Sequence, residues 1–348
     1  MDIFPSRSAY YALGAIAAIE IVWMLWAGHS VDMTTAVPVA KTSVVLLAAV
    51  PIVQLIARRM AADPERFSAY LSPRWIECCR VFIQGMAFIT LGWTLLRLLN
   101  HLTMTIPVPY VDGFFMAADR FIPIDWNAYF QAVAGNRFLI DVFYYAYSGL
   151  TPISVAGFLI LILIGAFENA RYFMLTFAAL AIVCTTVGLL FPAQGTVHTM
   201  LADKSLLGNF THTPGVYFVD ILKELRSGEP QTFNLMYLPG LTTFPSFHTA
   251  GGVVLAMAFR RTRLFWPVAV YCAIMIAATP IYGGHYFIDL VAGTGLALVV
   301  GFRMDRLAIF NGLFSGRAPQ PAVAERVESG DPVAGMPAPQ AARQRADA

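Results

Sequence analysis

The chain has 348 residues, of which 58% are hydrophobic and 13% are charged. Ordinary soluble domains carry about 25% charged residues, so this composition excludes that class and indicates an integral membrane protein. The formal net charge of +2 is too small to suggest a nucleic-acid partner.

Eight apolar segments approach the length of about 20 residues that a helix needs to cross a bilayer. They lie at residues 9–27, 38–57, 76–98, 142–166, 172–192, 246–260, 264–281 and 285–303. The first segment lacks a convincing small-residue cleavage site, so we expect it to be a retained helix and not a signal peptide. The sequence therefore predicts an all-α polytopic membrane protein with eight transmembrane helices.

The arginines indicate how these helices are oriented. They cluster in residues 58–80, in residues 260–263 and after residue 303. By the positive-inside rule these regions are cytoplasmic, and both termini then lie in the cytoplasm. The starts of the sixth and eighth spans consequently share the outer face. We expect an inner-membrane protein of a bacterium with its functional site on the periplasmic side.

Two long segments connect spans on the outer side. Residues 99–141 mix aromatic and acidic side chains, which is typical of an interfacial segment along the lipid headgroups. We interpret Trp126 there as a membrane anchor, with a direct substrate contact as the alternative. Residues 192–245 are long enough for a functional lid. Its His198 and His212 are expected to be ordinary loop residues, although metal ligation or acid–base roles stay open.

The sixth span is preceded by an unusual turn. Residues 238–252 place turn formers and Ser246 ahead of His248, and an apolar run follows. Pro245 and Ser246 suit the first positions of a helix, where free backbone N–H groups and the positive end of the dipole favour an anion such as phosphate. This turn therefore predicts a phosphate-binding helix start, with Ser246 and Phe247 as candidate contacts.

A second histidine opens the last span. His285 and Asp289 are separated by one helical turn, so they lie on the same helix face. The carboxylate can hold one ring nitrogen and leave the other free to act as a nucleophile. An acid this close to a membrane-embedded run is costly and therefore indicates a site. A structural His–Asp hydrogen bond is the alternative for this pair taken alone.

These two stretches resemble a known family. Phe-Pro-Ser-Phe-His-Thr-Ala (244–250) and His-Tyr-Phe-Ile-Asp-Leu-Val-Ala-Gly (285–293) are similar to the second and third signature motifs of the type 2 phosphatidic acid phosphatase (PAP2) superfamily. The stretch 119–126 also resembles the inositol phosphorylceramide synthase (Aur1-like) branch. The resemblance implies that His285 attacks phosphorus to form a phosphohistidine, that Asp289 orients it, and that His248 protonates the leaving oxygen. It also implies a reaction without a metal or other cofactor.

The chain lacks the Lys and Arg side chains that the family motifs usually contain. Ala278 and Thr279 stand where the commoner third motif has Ser-Arg, and the first motif with its Lys and Arg is not recognisable. Something else must neutralise the phosphate. Lys204, Lys223 and Arg226 in the second outer loop are the candidates, although each one alone is more often a solvated loop charge.

Composition and the resemblance together predict a division of the chain, and the resemblance implies a function. We divide it into N-terminal transmembrane helices (1–100), an interfacial outer loop (101–141), a PAP2-like catalytic core (142–312) and a disordered cytoplasmic tail (313–348). The expected function is transfer of a phospho-headgroup between lipids, with hydrolysis of lipid phosphates or isoprenoid pyrophosphate as the alternative. Lipids and the membrane are the expected partners; the oligomeric state is left open.

Two other classes of function could use the same residues. His248, His285, Asp289 and a loop histidine are a possible open zinc site. A transporter that binds a proton or ion at Asp289 is the non-enzymatic alternative. A proton relay would not require the Pro-Ser-Phe-His turn, which favours the enzyme.

Overall fold

The computed structural model describes residues 3–63 and 73–314, and these residues are mainly helical. The α-helices are α1 (Arg7–Ala27), α2 (Met33–Ala62), α3 (Pro73–Met104), α4 (Asp112–Asp119), α5 (Trp126–Ala134), α6 (Arg137–Ser148), α7 (Leu150–Leu163), α8 (Phe167–Leu190), α9 (Thr196–Thr199), α10 (Val219–Leu225), α11 (Phe247–Phe259), α12 (Phe265–Tyr282) and α13 (Phe287–Phe314). A 3-10 helix covers Lys204–Asn209. Strands β1 (Ser30–Val31) and β2 (Thr232–Phe233) pair in parallel. The predicted all-α membrane class is confirmed.

The number of spans differs from the predicted eight. Within the described residues, α1, α2, α3, α8, α12 and α13 are long and apolar enough to cross a bilayer. Helices α6 and α7 form one further span only if their 57° bend is counted as a break within it. The remaining predicted span is α11, which has 13 residues. At 1.5 Å per residue it extends about 20 Å, less than the roughly 30 Å of the hydrocarbon core.

Helix α11 lies inside the bundle. It packs against α7, α8 and α12, and α3 packs against α1, α2 and α8. Two glycines allow the close approach to the neighbouring helices. A Cβ atom on Gly251 would come within 2.9 Å of the Phe177 ring, and one on Gly252 within 2.5 Å of the Met275 side chain. A helix enclosed in this way is apolar on all its faces, which explains why the sequence pattern resembles a complete span.

The first outer segment is folded against the bundle, whereas its position at the lipid headgroups stays a prediction. Trp126 begins α5 with 2% of its surface exposed. Its Nε1 donates to the carbonyl of Pro280 at 3.4 Å, and its ring packs against Phe130. The prediction that Trp126 is an interfacial anchor is therefore wrong. Phe121, with 91% of its surface exposed, is an aromatic side chain of this segment that projects outward.

The tail predicted at 313–348 lies outside the described residues apart from 313 and 314, which end α13. Residues 64–72, within the predicted cytoplasmic loop 58–80, also lie outside them.

Candidate active site

The predicted pair at the start of the last helix is present. His285 lies between the end of α12 and the start of α13, and its Nδ1 is 3.1 Å from Oδ2 of Asp289. The same carboxylate oxygen accepts the backbone N–H of Tyr286 at 3.0 Å. Both side chains are buried, with 3% of His285 and none of Asp289 exposed. In the tautomer that carries its proton on Nδ1, His285 donates to the carboxylate and the lone pair of Nε2 is free.

The turn before His285 requires glycine. Gly284 has a φ of +62°, in the left-handed region, and a Cβ atom there would lie 2.6 Å from the carbonyl oxygen of Gly215. A Cβ atom on Gly283 would lie 2.5 Å from Cδ2 of the His285 ring and 2.9 Å from the hydroxyl of Tyr147. The Gly-Gly pair therefore allows the second outer loop and Tyr147 to approach the His285 ring.

The turn ahead of His248 is tied directly to this pair. The backbone N–H of Ser246 donates to the carbonyl oxygen of Asp289 at 3.1 Å. The hydroxyl of Ser246 caps α11 by accepting the N–H of Thr249 at 3.3 Å, as expected for a serine at this position. A Cβ atom on Gly293 in α13 would come within 2.5 Å of the Ser246 carbonyl, so the two helices are in close contact there.

His248 is held by an aromatic side chain. Its ring stacks on that of Tyr147, with centroids 4.1 Å apart and an angle of 11° between the planes. The hydroxyl of Tyr147 is in turn 3.4 Å from the hydroxyl of Tyr217 in the second outer loop. Stacking fixes the plane of the imidazole and leaves its ring nitrogens available at the edge. The structure thus supplies a positioned second histidine.

Both histidines line the same cavity, whose volume is about 220 Å³. Its walls come from α3, α6, α7, α8, α11 and the second outer loop. Away from the histidines the lining is mainly apolar and includes Phe88, Leu150 and Phe177. Polar residues of the lining include Arg97 and Asn100 besides the two histidines. This lining combines ionisable groups with a mainly apolar wall, as a lipid headgroup and its chain would need.

The sequence interpretation missed one cation in this cavity. Arg97 of α3 lines it together with His248 and His285. Its Nη1 donates to the carbonyl of Leu238 at 2.6 Å. A single arginine near the end of the apolar segment 76–98 is itself a signal of a site, because intramembrane charges are costly. The sequence does not show that Arg97 lies near the histidines, because packing between distant segments brings them to the same cavity.

Two aspartates of the first outer segment, which the sequence does not single out, accept hydrogen bonds from the residues after His285. Asp119 accepts the backbone N–H groups of Phe287 and Ile288 at 2.9 and 2.8 Å, and so caps the start of α13. Burial raises the pKa of Asp119, and these two hydrogen bonds oppose the rise. Asp112 accepts the hydroxyl of Tyr286 at 2.8 Å. Both carboxylates hold the residues that follow His285.

A comparison of the sequence with models of known protein families identifies the family of the chain. The model of the PAP2 superfamily matches residues 113–302, which is more than half of the chain and includes both histidines. The chain belongs to the PAP2 superfamily. Members of this superfamily are phosphatases and phosphotransferases, which supports an enzyme of that broad kind. Neither a curated protein nor a solved structure matched the chain.

Of the predicted phosphate contacts of this PAP2 protein, Phe247 is the one that lines the cavity. Ser246, in contrast, is fully buried and its hydroxyl serves as the helix cap. Lys204 is exposed. Lys223 pairs with Asp220 at 3.2 Å on the surface. The Nη1 of Arg226 donates to the carbonyl of Val108. The structure does not bring these three cations to the cavity lining, and their phosphate role stays a prediction.

The loop histidines lie apart from the two catalytic candidates. His198 is an exposed residue of α9. His212 stacks on Tyr144, with ring centroids 3.7 Å apart. The described residues contain no group of three or more His, Cys, Asp or Glu side chains arranged to hold a metal ion. The zinc alternative, which needs a loop histidine beside His248 and His285, therefore gains no support from these positions.

Proposed function

We propose that this PAP2 superfamily protein transfers a phosphate-bearing headgroup between membrane lipids through a phosphohistidine on His285. The observation that carries the proposal is the shared cavity, which His248 and His285 line together with mainly apolar side chains. An apolar chamber beside the reactive groups suits a substrate with a hydrocarbon chain, because burying the chain removes apolar surface from water.

The first step forms the phosphohistidine. Nε2 of His285 attacks the phosphorus atom, and a P–N bond forms while the bond from phosphorus to the leaving oxygen breaks. Protonated His248 gives its proton to that oxygen. The carboxylate of Asp289, 3.1 Å from Nδ1, stabilises the positive charge that develops on the His285 ring.

The second step restores the enzyme. The hydroxyl oxygen of the acceptor attacks phosphorus and the P–N bond breaks. His248, neutral after the first step, takes the proton of the acceptor hydroxyl. The same imidazole thus acts as acid and then as base, and the histidine pair ends in its starting protonation state.

The choice between a lipid acceptor and water depends on access of water to the phosphohistidine. His285 is 3% exposed and Asp289 is fully buried, which favours an acceptor that reaches the site through the apolar chamber. The resemblance of residues 119–126 to the inositol phosphorylceramide synthase branch also supports transfer. With water as acceptor, the same two steps describe the alternative, a hydrolytic phosphatase.

The experiment for this choice uses the purified protein with a lipid phosphate that carries a labelled phosphorus atom, together with a lipid that bears a free hydroxyl. We expect label to appear on the second lipid. Label released only as inorganic phosphate would support hydrolysis and overturn transfer. If the label stays on the first lipid with every acceptor, the enzymatic proposal itself fails.

We further propose that the site faces the periplasm and that both termini are cytoplasmic. The support is the distribution of arginines in the sequence, which places residues 260–263 inside. Single cysteines at the exposed positions 121 and 261 test it in intact cells with a membrane-impermeant maleimide. We expect labelling of Phe121→Cys but not of Arg261→Cys above the wild-type background. The opposite pattern would invert the proposed orientation.

A further inference from the structure

Arg97 is the feature of the cavity that the histidine mechanism leaves without a role. It lies in α3 and lines the cavity together with Tyr147, Tyr217 and His248. Its guanidinium carbon is 3.7 Å from the centroid of the Trp93 ring. One hydrogen bond to the carbonyl of Leu238 and this ring fix the side chain.

The charge of Arg97 has no acidic partner in the described part of the chain. No carboxylate there lies within ion-pair distance of its guanidinium, whereas the surface cations Arg137 and Lys223 both have one. Its neighbours are instead the phenols of Tyr147 and Tyr217, and it is only partly exposed. A half-buried cation without a counter-ion is costly, so its position indicates an anion that arrives with the substrate.

The positive charge of Arg97 also affects the pKa values of neighbouring groups in the cavity. Burial raises the pKa of the Tyr217 phenol, and the hydrogen bond from Tyr147 and the positive charge of Arg97 both oppose the rise. Burial lowers the pKa of His248, and the nearby charges of His285 and Arg97 lower it as well. An anion held by Arg97 would therefore lie next to the ring that handles the proton.

We propose that Arg97 binds the phosphate oxygens of the lipid substrate while His285 attacks the phosphorus atom. The inference rests on the proposed function and identifies the cation that the three loop candidates do not bring to the cavity. A planar guanidinium with several N–H donors matches the spacing of two phosphate oxygens. Arg97 lies outside residues 113–302, so the N-terminal helices would supply part of the active site.

Orthovanadate binding and steady-state kinetics together test this assignment, using the full chain in detergent. Vanadate is an oxyanion that imitates a phosphoryl group and requires no turnover. Arg97→Gln removes the charge, and Arg97→Lys keeps the charge without the planar fork. Arg74→Gln is the matched control, because Arg74 lies in the same helix and donates to the carbonyl of Leu163 at 2.9 Å but does not line the cavity.

We expect Arg97→Gln to weaken vanadate binding and to lower kcat/KM by about 10- to 100-fold, the range for losing a hydrogen bond to a charged group. Arg97→Lys should recover part of both losses, and Arg74→Gln should bind vanadate as the wild type does. Unchanged vanadate affinity and kcat/KM in a folded Arg97→Gln variant would overturn the assignment and leave the histidine mechanism intact. A wild-type protein that neither binds vanadate nor turns over lipid phosphates would overturn the proposed function and this assignment with it.

Discussion

Asp119 accepts the backbone N–H of Phe287 at 2.9 Å, across 168 positions of sequence. The second oxygen of the same carboxylate accepts the N–H of Ile288. A side chain of the first outer segment therefore satisfies the free donors at the start of α13, directly after His285. A segment far from His285 in the sequence thus holds the helix start that follows it.

The first prediction follows from this cap. Asp119→Ala should lower the free energy of unfolding by about 1–3 kcal/mol, because buried N–H groups lose a charged acceptor, and activity should fall as well. Asp125→Ala is the control, since Asp125 caps α5 in the same segment by accepting the N–H of Ala128 but does not contact α13. Thermal unfolding in detergent and turnover check both variants. Full activity in Asp119→Ala would show that the cap does not position His285.

The contact between α11 and α13 gives a second prediction. Gly293→Ala places a methyl group 2.5 Å from the Ser246 carbonyl, so the two helices must separate. We expect a lower melting temperature and reduced turnover. Gly295→Ala, two positions along the same helix, meets nothing within 4 Å and should gain about 0.5–1 kcal/mol from helix propensity. Equal stability of the two variants would contradict the close packing.

The stack on His248 gives a third prediction. Tyr147→Phe keeps the ring and loses only the hydroxyl contact with Tyr217, whereas Tyr147→Leu removes the stack. The leucine variant should lose about 2- to 10-fold more activity than the phenylalanine variant, as expected for one aromatic contact. Its pH profile should also shift, because the environment of the His248 ring changes. Tyr145→Leu, an exposed change in the same helix, should leave the profile as it is.

The apolar chamber gives a fourth prediction. Ala181 of α8 lines it, so Ala181→Phe should fill part of the chamber and lower kcat/KM for long-chain lipid phosphates more than for short-chain ones. Ala179→Phe in the same helix does not enter the lining and should treat both chain lengths alike. Competition between two chain lengths measures the preference directly. An unchanged preference in Ala181→Phe would mean that the chain binds elsewhere.

The sequence predicted the parts of the site that depend on local spacing. His285 and Asp289 meet because they are one helical turn apart, and Ser246 caps α11 because serine suits that position. The apolar runs also predicted the membrane class, which depends on composition more than on packing.

The remaining parts depend on contacts between distant segments. Arg97 reaches the cavity because the loop at Leu238 packs against α3, and no local pattern reports that. The sequence predicts α11 as a complete span, because an enclosed helix and a membrane helix have the same apolar composition. Trp126 was assigned to the interface for its residue type, whereas its position beside Pro280 buries it.

In the proposed mechanism, His285 is the nucleophile that forms the covalent phosphohistidine intermediate. Loss of this nucleophile removes the two-step route, whereas loss of the acid–base group costs about 10²- to 10⁴-fold in rate. We therefore expect His285→Ala to abolish turnover, and His248→Ala and Asp289→Ala to retain traces of it.

Rapid quenching of a single turnover with a phosphorus-labelled lipid phosphate, followed by peptide mapping, tests the claim most directly. The account predicts acid-labile label on the peptide that contains His285 in the wild type, and none in a folded His285→Ala variant. Label on a different residue, or normal turnover by His285→Ala, would contradict it.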